Sequence, residues 1–234
     1  MSKPSINLYL IPTVLAEGTK DQVLSPQIKD VIANVDVFFV ENIRTARRFI
    51  SSLKLGKVID TITFIELHKD TPRSETMAQV KSLTQHAGIL SEAGCPGVAD
   101  PGAVAVDFAH QIGIRVIPLV GPSSILLALM ASGMSGQSFT FHGYLPIDKM
   151  ERRQAIQQLE RDVKQKDQTQ IFMETPFRNT SFLESILEAA QPETLLCIAA
   201  NITAEDEFIQ THPIKYWKKN FPDIHKQPAI FLIG

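Results

Sequence analysis

The chain has 234 residues, which is long enough for one large domain or two smaller ones, each with a buried core. Hydrophobic residues make up 44% and charged residues 21%, a balance that excludes a disordered chain. The formal net charge of -2 excludes a strongly basic nucleic-acid coat protein, although it leaves room for a local basic patch.

Short apolar runs alternate with helical patterns through the first half of the chain. Runs rich in branched and aromatic residues predict strands at Ile6–Ile11, Val37–Val40, Thr61–Leu67, Gly88–Leu90 and Ile114–Leu119. Helices are predicted after Ser25-Pro26, over Ser74–His86, over Pro101–Ile112 and from Gly121-Pro122 to Ser132. Ser25 and Asp100 are predicted helix caps.

The second half repeats the alternation. It predicts strands at Phe139–Gly143, Thr169–Met173, Thr194–Ala200 and Ala229–Ile233, with helices at Lys149–Lys166 and Phe177–Ala190. Strands that alternate with helices predict an α/β fold whose sheets are mostly parallel or mixed. This number of elements favours two sheets, so we predict an N-terminal α/β domain over residues 1–119 and a C-terminal α/β domain over residues 120–234.

The cysteines, the histidines and the apolar runs indicate a protein of a reducing compartment, with no metal site and no membrane-spanning segment. Cys95 and Cys197 are too few for a disulfide framework, and the six histidines lack the spacing of metal ligands. No apolar run approaches the ~20 residues of a membrane span, and the start MSKPSINLYL lacks the apolar core of a signal peptide. We therefore expect a cytoplasmic protein.

Two loops follow neighbouring strands and could bind a ligand. The loop Ser91–Gly102 reads SEAGCPGVADPG, where Gly94 and Gly97 permit close approach of the backbone to a ligand. The next loop is Val120–Ser124, in which Ser123 and Ser124 are either helix caps or ligand contacts. Ligands of open α/β sheets bind beyond the carboxyl ends of the strands, where both loops are expected. A tight strand-to-helix connection explains the glycines and prolines about as well.

These motifs resemble the tetrapyrrole methylase superfamily of methyltransferases over almost the whole chain. Ser91–Gly102 is similar to its S-D-A-G-T-P…D-P-G loop, Glu41–Arg44 to its E-D-T-R segment, and Phe172–Arg178 to F-Y-E-S-x-x-R. Leu67-His68 and Gly121-Pro122 match two further motifs. The resemblance implies two α/β domains, with S-adenosylmethionine in the cleft between them, and usually a homodimer. The most similar members methylate a cytidine 2′-hydroxyl in RNA of the small ribosomal subunit.

The resemblance also implies site residues. Its cofactor contacts fall on Pro12, Gly94, Cys95, Val98, Ser123, Ser124, Met173 and Ala200. Apolar residues such as Val98 and Met173 suit an adenosyl group, although without the resemblance core packing is the better explanation of Met173.

Transfer to a hydroxyl would use a general base or charge stabilisation, for which the candidates are Glu41, Arg44, His68 and Glu174. His68 also fits an ordinary surface histidine. Arg44, with Arg47 and Arg48, could bind RNA phosphate or form a solvated helix face.

Several positions depart from the superfamily pattern. The glycine-containing turn P-T-P-I-G-N-L reads Pro12–Gly18 here, as PTVLAEG, and the Asp of E-D-T-R is Asn42. Ala200, Asn201, Gln227 and Pro228 replace further polar motif positions. The leading hypothesis is therefore a methyltransferase that acts on RNA. The alternatives are a family member with a small-molecule or tetrapyrrole acceptor, or a paralogue that binds cofactor or RNA without catalysis.

Overall fold

The computed structural model describes residues 6–234, so the first five residues of MSKPSINLYL, the start that lacks a signal-peptide pattern, lie outside the described residues. The chain divides into two compact units, of which the first ends at Pro122 and the second is Ser123–Gly234. This division comes shortly after the boundary at Leu119 that the sequence predicts. Each unit contains one five-stranded sheet. The prediction of an α/β protein with two sheets is confirmed.

The first unit is built on a parallel sheet. Its strands are β1 Asn7–Ile11, β2 Val37–Val40, β3 Thr63–Glu66, β4 Ala87–Leu90 and β5 Arg115–Pro118. The strand order is β3-β2-β4-β1-β5, and every neighbouring pair is parallel. Because all strands point the same way, their carboxyl ends and the loops that follow lie along one edge of the sheet.

Helices cover both faces of this sheet. They are α1 Lys20–Val23, α2 Pro26–Asn34, α3 Ile43–Ser52, α4 Arg73–Lys81 and α5 Gly102–Gln111, with a 3-10 turn at Ile59–Thr61. Successive side chains of a strand point to opposite faces, so Phe38 packs with residues of α2 and α3 while Phe39 packs with residues of α4 and α5. All of β2 is buried, as expected for a strand covered on both faces.

The second unit contains a mixed sheet. Its strands are β6 Phe139–Tyr144, β7 Thr169–Glu174, β8 Leu195–Ala200, β9 Phe208–Pro213 and β10 Ala229–Ile233, in the order β6-β7-β10-β8-β9. Only β6 and β7 are parallel neighbours, and the other pairs are antiparallel. The sequence predicted sheets that are mostly parallel or mixed, and this sheet is mixed. The connection between β8 and β9 is a short loop, which permits an antiparallel pair but is too short for a parallel crossover.

An aromatic cluster forms the core of the second unit. Its helices are α6 Ser124–Ser132, α7 Lys149–Lys166, α8 Asn179–Ala189 and α9 Ile214–Trp217, with a 3-10 turn at Pro176–Arg178. The rings of Phe172, Phe182 and Phe231 contact one another, and the closest centroids are 5.3 Å apart. The Trp217 indole N–H donates to the Leu196 carbonyl at 2.9 Å. The single tryptophan is therefore fixed inside this unit.

Two sequence predictions differ from the observed elements. The helix predicted over Ser74–His86 ends at Lys81 as α4, because Leu83 packs against the core from the following turn without needing a helix. Strand β9 was not predicted, since its sequence FIQTHP begins with two adjacent apolar residues and then lacks apolar alternation. Among residues 6–234, no helix combines the length and apolar character needed to cross a membrane.

Candidate functional site

The loops after β1 and β4 are fastened to each other at the carboxyl edge of the first sheet. The Thr13 backbone N–H donates to the Gly94 carbonyl at 3.0 Å, and the Thr13 hydroxyl donates to the Ser91 carbonyl at 3.2 Å. The Ser91 hydroxyl donates to the same Gly94 carbonyl. These bonds make Pro12 and Gly94, both predicted cofactor contacts, neighbours in space.

Gly94 lies where side chains have little room. Its φ is +74°, a left-handed conformation that favours glycine, and an added Cβ would lie 3.1 Å from Leu15 Cδ2 and 3.3 Å from the Pro122 carbonyl oxygen. The Cys95 Sγ lies 3.3 Å from that same oxygen. Burial raises the pKa of the Cys95 thiol, so this group stays protonated and can donate to the carbonyl.

The loop after β5 packs against the loop after β1. A Cβ added to Gly121 would overlap the Cβ of Pro12, so only glycine permits this approach. Three loops therefore meet at one point, and the structure brings Pro12, Gly94 and Cys95 together. The sequence placed two of these loops at one edge, and the strand order adds the third, because β1 lies between β4 and β5.

The second half of the loop Ser91–Gly102 is shaped by unusual backbone angles. Gly97 and Ala99 have φ values of +79° and +57°. Val98 between them is 49% exposed, so it presents an apolar side chain at the surface. The N-cap of α5 is Pro101 and not the predicted Asp100, but the Asp100 side chain accepts a hydrogen bond from the N–H of Gly102, the first helical residue, at 2.7 Å.

Three carboxyl groups interact beside this loop: Glu41 after β2, and Glu92 and Asp100 within the loop. Partial burial, followed by the charge and hydrogen bond of Asp100, raises the pKa of Glu41 to about 7. Partial burial also raises the pKa of Glu92. A carboxyl with a pKa near 7 can exchange a proton at neutral pH. Within residues 6–234, no group of acidic, histidine or cysteine side chains could hold a metal ion.

The sequence identified only part of this carboxyl cluster. Glu41 was a predicted catalytic residue, Asp100 was interpreted as a cap, and Glu92 was not singled out. Strand pairing explains why these carboxyl groups lie together, because the register of β2 with β4 aligns Val40 with Leu90. The residues that follow these two strands are therefore neighbours, a relation that the sequence does not show.

The other two predicted catalytic residues of this unit lie outside the cluster. Arg44 is exposed on α3, and among residues 6–234 it forms no hydrogen bond or ion pair. His68 follows the edge strand β3, and its Nε2 lies 3.5 Å from a Glu66 carboxylate oxygen. No hydrogen bond in the described part of the chain joins His68 to Glu41. The position of His68 fits the surface histidine that the sequence also allowed.

In the second unit, the two predicted serines lie at the start of α6. The Ser123 side chain accepts a hydrogen bond from the Leu126 N–H at 3.4 Å, so it caps this helix. Ser124 is the first helical residue. The capping interpretation of Ser123 is therefore supported, and its hydroxyl hydrogen remains free to serve as a donor.

Met173, Glu174 and Ala200 lie at one edge of the second sheet. Ala229 of β10 pairs with Glu174 on one side and with Ala200 on the other, so the carboxyl ends of β7 and β8 flank it. Met173 precedes Glu174 and is half-buried, whereas Ala200 is completely buried. Ala200 can therefore offer a ligand little besides its backbone.

Glu174 is held in a buried ion pair. Its side chain is 1% exposed, and its Oε1 accepts from Arg178 Nη2 at 2.6 Å and from the Thr175 N–H at 2.6 Å. Its other oxygen, Oε2, has no hydrogen-bond partner among the described residues. Arg178 therefore orients the carboxylate. The sequence identifies Arg178 only as the last residue of the segment that resembles F-Y-E-S-x-x-R.

Comparison with known proteins assigns the chain to a family, although no family model matches it. Ribosomal RNA small subunit methyltransferase I of Vibrio cholerae is 31% identical over 209 residues, which cover 88% of this chain and 68% of that protein. The structure of diphthine synthase matches 98% of this chain and 89% of its own at 12% identity, with a TM-score of 0.69. The uroporphyrin-III-C-methyltransferase from Thermus thermophilus matches 99% of this chain and 93% of its own at 18% identity, with a TM-score of 0.56.

The two structures support the tetrapyrrole methylase-like fold, and the sequence relative supports the closer relationship. The resemblance seen in the motifs is thereby confirmed. The chain belongs to the ribosomal RNA small subunit methyltransferase I family, and it is a methyltransferase.

Proposed function

We propose that this methyltransferase transfers the methyl group of S-adenosylmethionine to a ribose 2′-hydroxyl in RNA of the small ribosomal subunit. The RNA class follows from the name of the Vibrio cholerae relative. The observation that carries the proposal is the convergence of three loops at Gly94, on the carboxyl edge of the parallel sheet, where ligands of such sheets bind.

The residues at this point fit the proposed cofactor. Pro12, Gly94 and Cys95 pack together, and exposed Val98 supplies apolar surface for an adenosyl group. In the second unit the proposed contacts are Ser123, Ser124, Met173 and Ala200. Buried Ala200 would contribute backbone, and the Ser123 hydroxyl would donate while it caps α6.

When bound, S-adenosylmethionine supplies an electrophilic methyl group together with its own leaving group. The protein must then align the acceptor hydroxyl and remove its proton. We assign proton removal to Glu41, because Asp100 and Glu92 help to hold its pKa near 7. Activity should then rise as pH increases through about 7, since only the ionised carboxylate accepts the proton.

The remaining predicted catalytic residues take other roles. Arg44, exposed and without an ion pair in the described part of the chain, would bind RNA phosphate. Glu174 is already oriented by Arg178 and Thr175, so we propose that it organises the edge of the second sheet and does not serve as the base. His68 has no proposed role in proton transfer.

Transfer of label from S-[methyl-3H]adenosylmethionine tests the proposal. Small ribosomal subunits, total RNA and a small-molecule extract would be offered in parallel, with heat-denatured protein as the control. We expect label in small-subunit RNA, within an alkali-resistant dinucleotide that marks ribose methylation. Label confined to the small-molecule extract would instead support a tetrapyrrole or other small acceptor. Absence of cofactor binding by calorimetry at millimolar concentration would contradict the whole proposal.

We also propose that the protein is a homodimer. On α6, Leu126 is 51% and Met130 79% exposed, so apolar surface remains uncovered in the single chain. Light scattering during size-exclusion chromatography should give twice the chain mass of 26.0 kDa. Replacement of Met130 by Lys should shift the protein toward monomer if this helix lies in the interface. A ribosomal substrate implies a cytoplasmic location.

A further inference from the structure

A cavity in the first unit lies directly beside the proposed cofactor loop. Its volume is about 460 Å³, which is within the usual range for small-ligand sites. Three segments line it: residues 13–18 after β1, the face of α3 between Thr45 and Ser52, and residues 90–93 after β4. The cavity therefore opens at the carboxyl edge of the parallel sheet, where ligands of such sheets bind.

The cavity shares a wall with Gly94. Thr13 and Ser91 line the cavity, and both bond to the Gly94 carbonyl. Leu15 also lines it, and its Cδ2 lies 3.1 Å from the position of a Cβ on Gly94. A ligand in the cavity would therefore lie next to the proposed cofactor loop, on the other side of Leu15.

The lining combines an aromatic ring, apolar side chains and charge. Half-buried Phe49 faces the cavity together with Val14 and Leu15, while Arg48 and Glu92 lie on its lining. The Lys20 ammonium donates to the Ser52 carbonyl and so links the loop after β1 to the end of α3. Aromatic rings stack on nucleobases, whatever the base, and apolar walls favour the same flat ligand.

Two arginines of α3 lie at or near the cavity: Arg48 lines it, and Arg44 lies one turn earlier on the helix. Arg44 precedes Arg48 by four residues, so both project from the same face of the helix. Neither arginine forms a hydrogen bond or ion pair with any other residue in the range 6–234, whereas Arg47 between them pairs with Asp60. Guanidinium groups without carboxylate partners are suited to phosphate.

From these contacts we propose that the cavity receives the target nucleoside of the RNA, turned out of its strand, while Arg44 and Arg48 bind the flanking phosphates. The inference rests on the proposed function and identifies where the acceptor binds. Enzymes that act on a base commonly extrude its nucleotide into such a pocket, and the same extrusion would expose the ribose of that nucleotide. Residues 13–18 are also where the chain departs from the superfamily's glycine-containing turn, so Val14, Leu15 and Ala16 would help to set which nucleoside is accepted.

Filling the cavity tests this assignment. Ala16→Trp would occupy it from the loop after β1, and Ala78→Trp on exposed α4 is the matched control. The readouts are the affinity for S-adenosylmethionine by calorimetry and the kcat and KM for methylation of small-subunit RNA. We expect Ala16→Trp to lower kcat/KM at least ~10-fold, because misplacement of a reactant by 1 Å can reduce the rate ~100-fold. Cofactor affinity should remain that of the control.

Three outcomes separate the inference from the proposed function. If the unaltered protein methylates no RNA, the proposed function fails. If Ala16→Trp methylates RNA as well as Ala78→Trp does, the cavity assignment is wrong and the function stands. A loss of cofactor affinity in Ala16→Trp alone would assign the cavity to the methyl donor and overturn the inference.

A second variant removes dependence on the folding of Ala16→Trp. Arg48→Gln changes an exposed side chain, and Arg115→Gln on exposed β5 is its control. Loss of one phosphate contact should reduce the slope of log affinity for RNA against log salt by roughly 0.7, the value for one contact to a single strand. An equal slope in the two variants would contradict the role assigned to Arg48.

Discussion

The two units handle charge at their sheet edges in opposite ways. In the first unit, the parallel sheet gathers Glu41, Glu92 and Asp100 at one edge, where partial burial and then the charge of Asp100 raise the pKa of Glu41 to about 7. In the second unit, the buried Glu174 is neutralised by Arg178 at 2.6 Å. A carboxyl group that repels its neighbours is poised to exchange a proton, whereas one that is paired with arginine holds its position. The contrast fits the proposed roles, with proton removal by Glu41 in the first unit and structural support by Glu174 in the second.

The largest expected effect comes from a side chain at Gly94. Gly94→Val should abolish binding of S-adenosylmethionine, because the new side chain would press on Leu15 and on the Pro122 carbonyl. Left-handed backbone adds about 1–2 kcal/mol of strain for a residue with a Cβ. Calorimetry gives the affinity and urea unfolding gives the stability.

Gly113→Val is the matched control for strain. Gly113 has a φ of +76°, close to the +74° of Gly94, but nothing lies within 4 Å of the position that a Cβ would take there. The control should lose similar stability from strain and yet bind the cofactor normally. Equal cofactor affinity in the two variants would show that the site does not lie at Gly94.

The next largest effect tests the ion pair of the second unit. Arg178→Met leaves the Glu174 carboxylate buried without its cation, which should lower the free energy of unfolding by about 3 kcal/mol. Fluorescence of the single tryptophan, Trp217, reports unfolding of this unit in urea. Lys215→Met is the control, since Lys215 and Glu193 form an exposed pair that contributes less than about 1 kcal/mol. If both variants lost the same stability, Glu174 and Arg178 would not form the supporting pair inferred here.

A smaller effect, which depends on pH, is expected at Glu41. Folding raises the pKa of this carboxyl from 4.5 to about 7, so the native state binds its proton more tightly than the unfolded chain does. The resulting stabilisation is complete below pH 4.5 and is lost as pH rises through 7. Glu41→Gln should therefore match the wild type in acid and exceed its stability by about 1 kcal/mol above pH 7, allowing for solvent screening.

Urea unfolding on both sides of this pH range checks the prediction for Glu41. Glu205→Gln, at an exposed position of the second unit, is the control for the loss of a carboxyl group away from the cluster. Methyl transfer should meanwhile fall in Glu41→Gln at every pH. A difference in stability that does not change with pH would contradict the raised pKa.

The fold was predictable where local pattern and tertiary packing agree. The bounds of α7 and β10 match the sequence predictions. The many charged residues of Lys149–Lys166 suit a helix at the surface, and the apolar run Ala229–Ile233 suits a buried strand. The pattern could not give the direction of β10, which lies antiparallel between β7 and β8. Strand direction depends on how the chain returns to the sheet, and the sequence of a single strand does not encode it.

The site was predictable as loops but not as contacts. Glycine and proline spacing in Ser91–Gly102 predicted a loop whose backbone could approach a ligand closely. The positive φ of Gly94 is a conformation that favours glycine at this position. Glu92 was missed because its partners, Glu41 and Asp100, come from another strand end and from the far side of the loop. The register of β2 with β4 creates this cluster. Interactions between titratable groups distant in sequence arise only once strand order is known.

The smallest effect compares one helix cap from each unit. Asn42 caps α3 by accepting from the Thr45 N–H at 3.1 Å, and Asp148 caps α7 by accepting from the Met150 and Glu151 N–H groups at 2.9 Å. Asn42→Ala and Asp148→Ala should each lower the free energy of unfolding by about 1 kcal/mol. Asp148 also carries a charge at the positive end of its helix, so part of its contribution, about 0.5 kcal/mol, should disappear at high salt.

The two cap variants should differ more in their KM for RNA than in their free energy of unfolding. Loss of the Asn42 cap loosens the first turn of α3, which carries Arg44 and leads into the wall of the cavity at Thr45. Asn42→Ala should therefore raise the KM for RNA while leaving cofactor affinity unchanged, and Asp148→Ala should change neither. Steady-state methylation assays under conditions where both variants are fully folded make this comparison. If the two variants had the same KM, the first turn of α3 would not position the RNA, and the proposed difference in role between the two units would be wrong at this point.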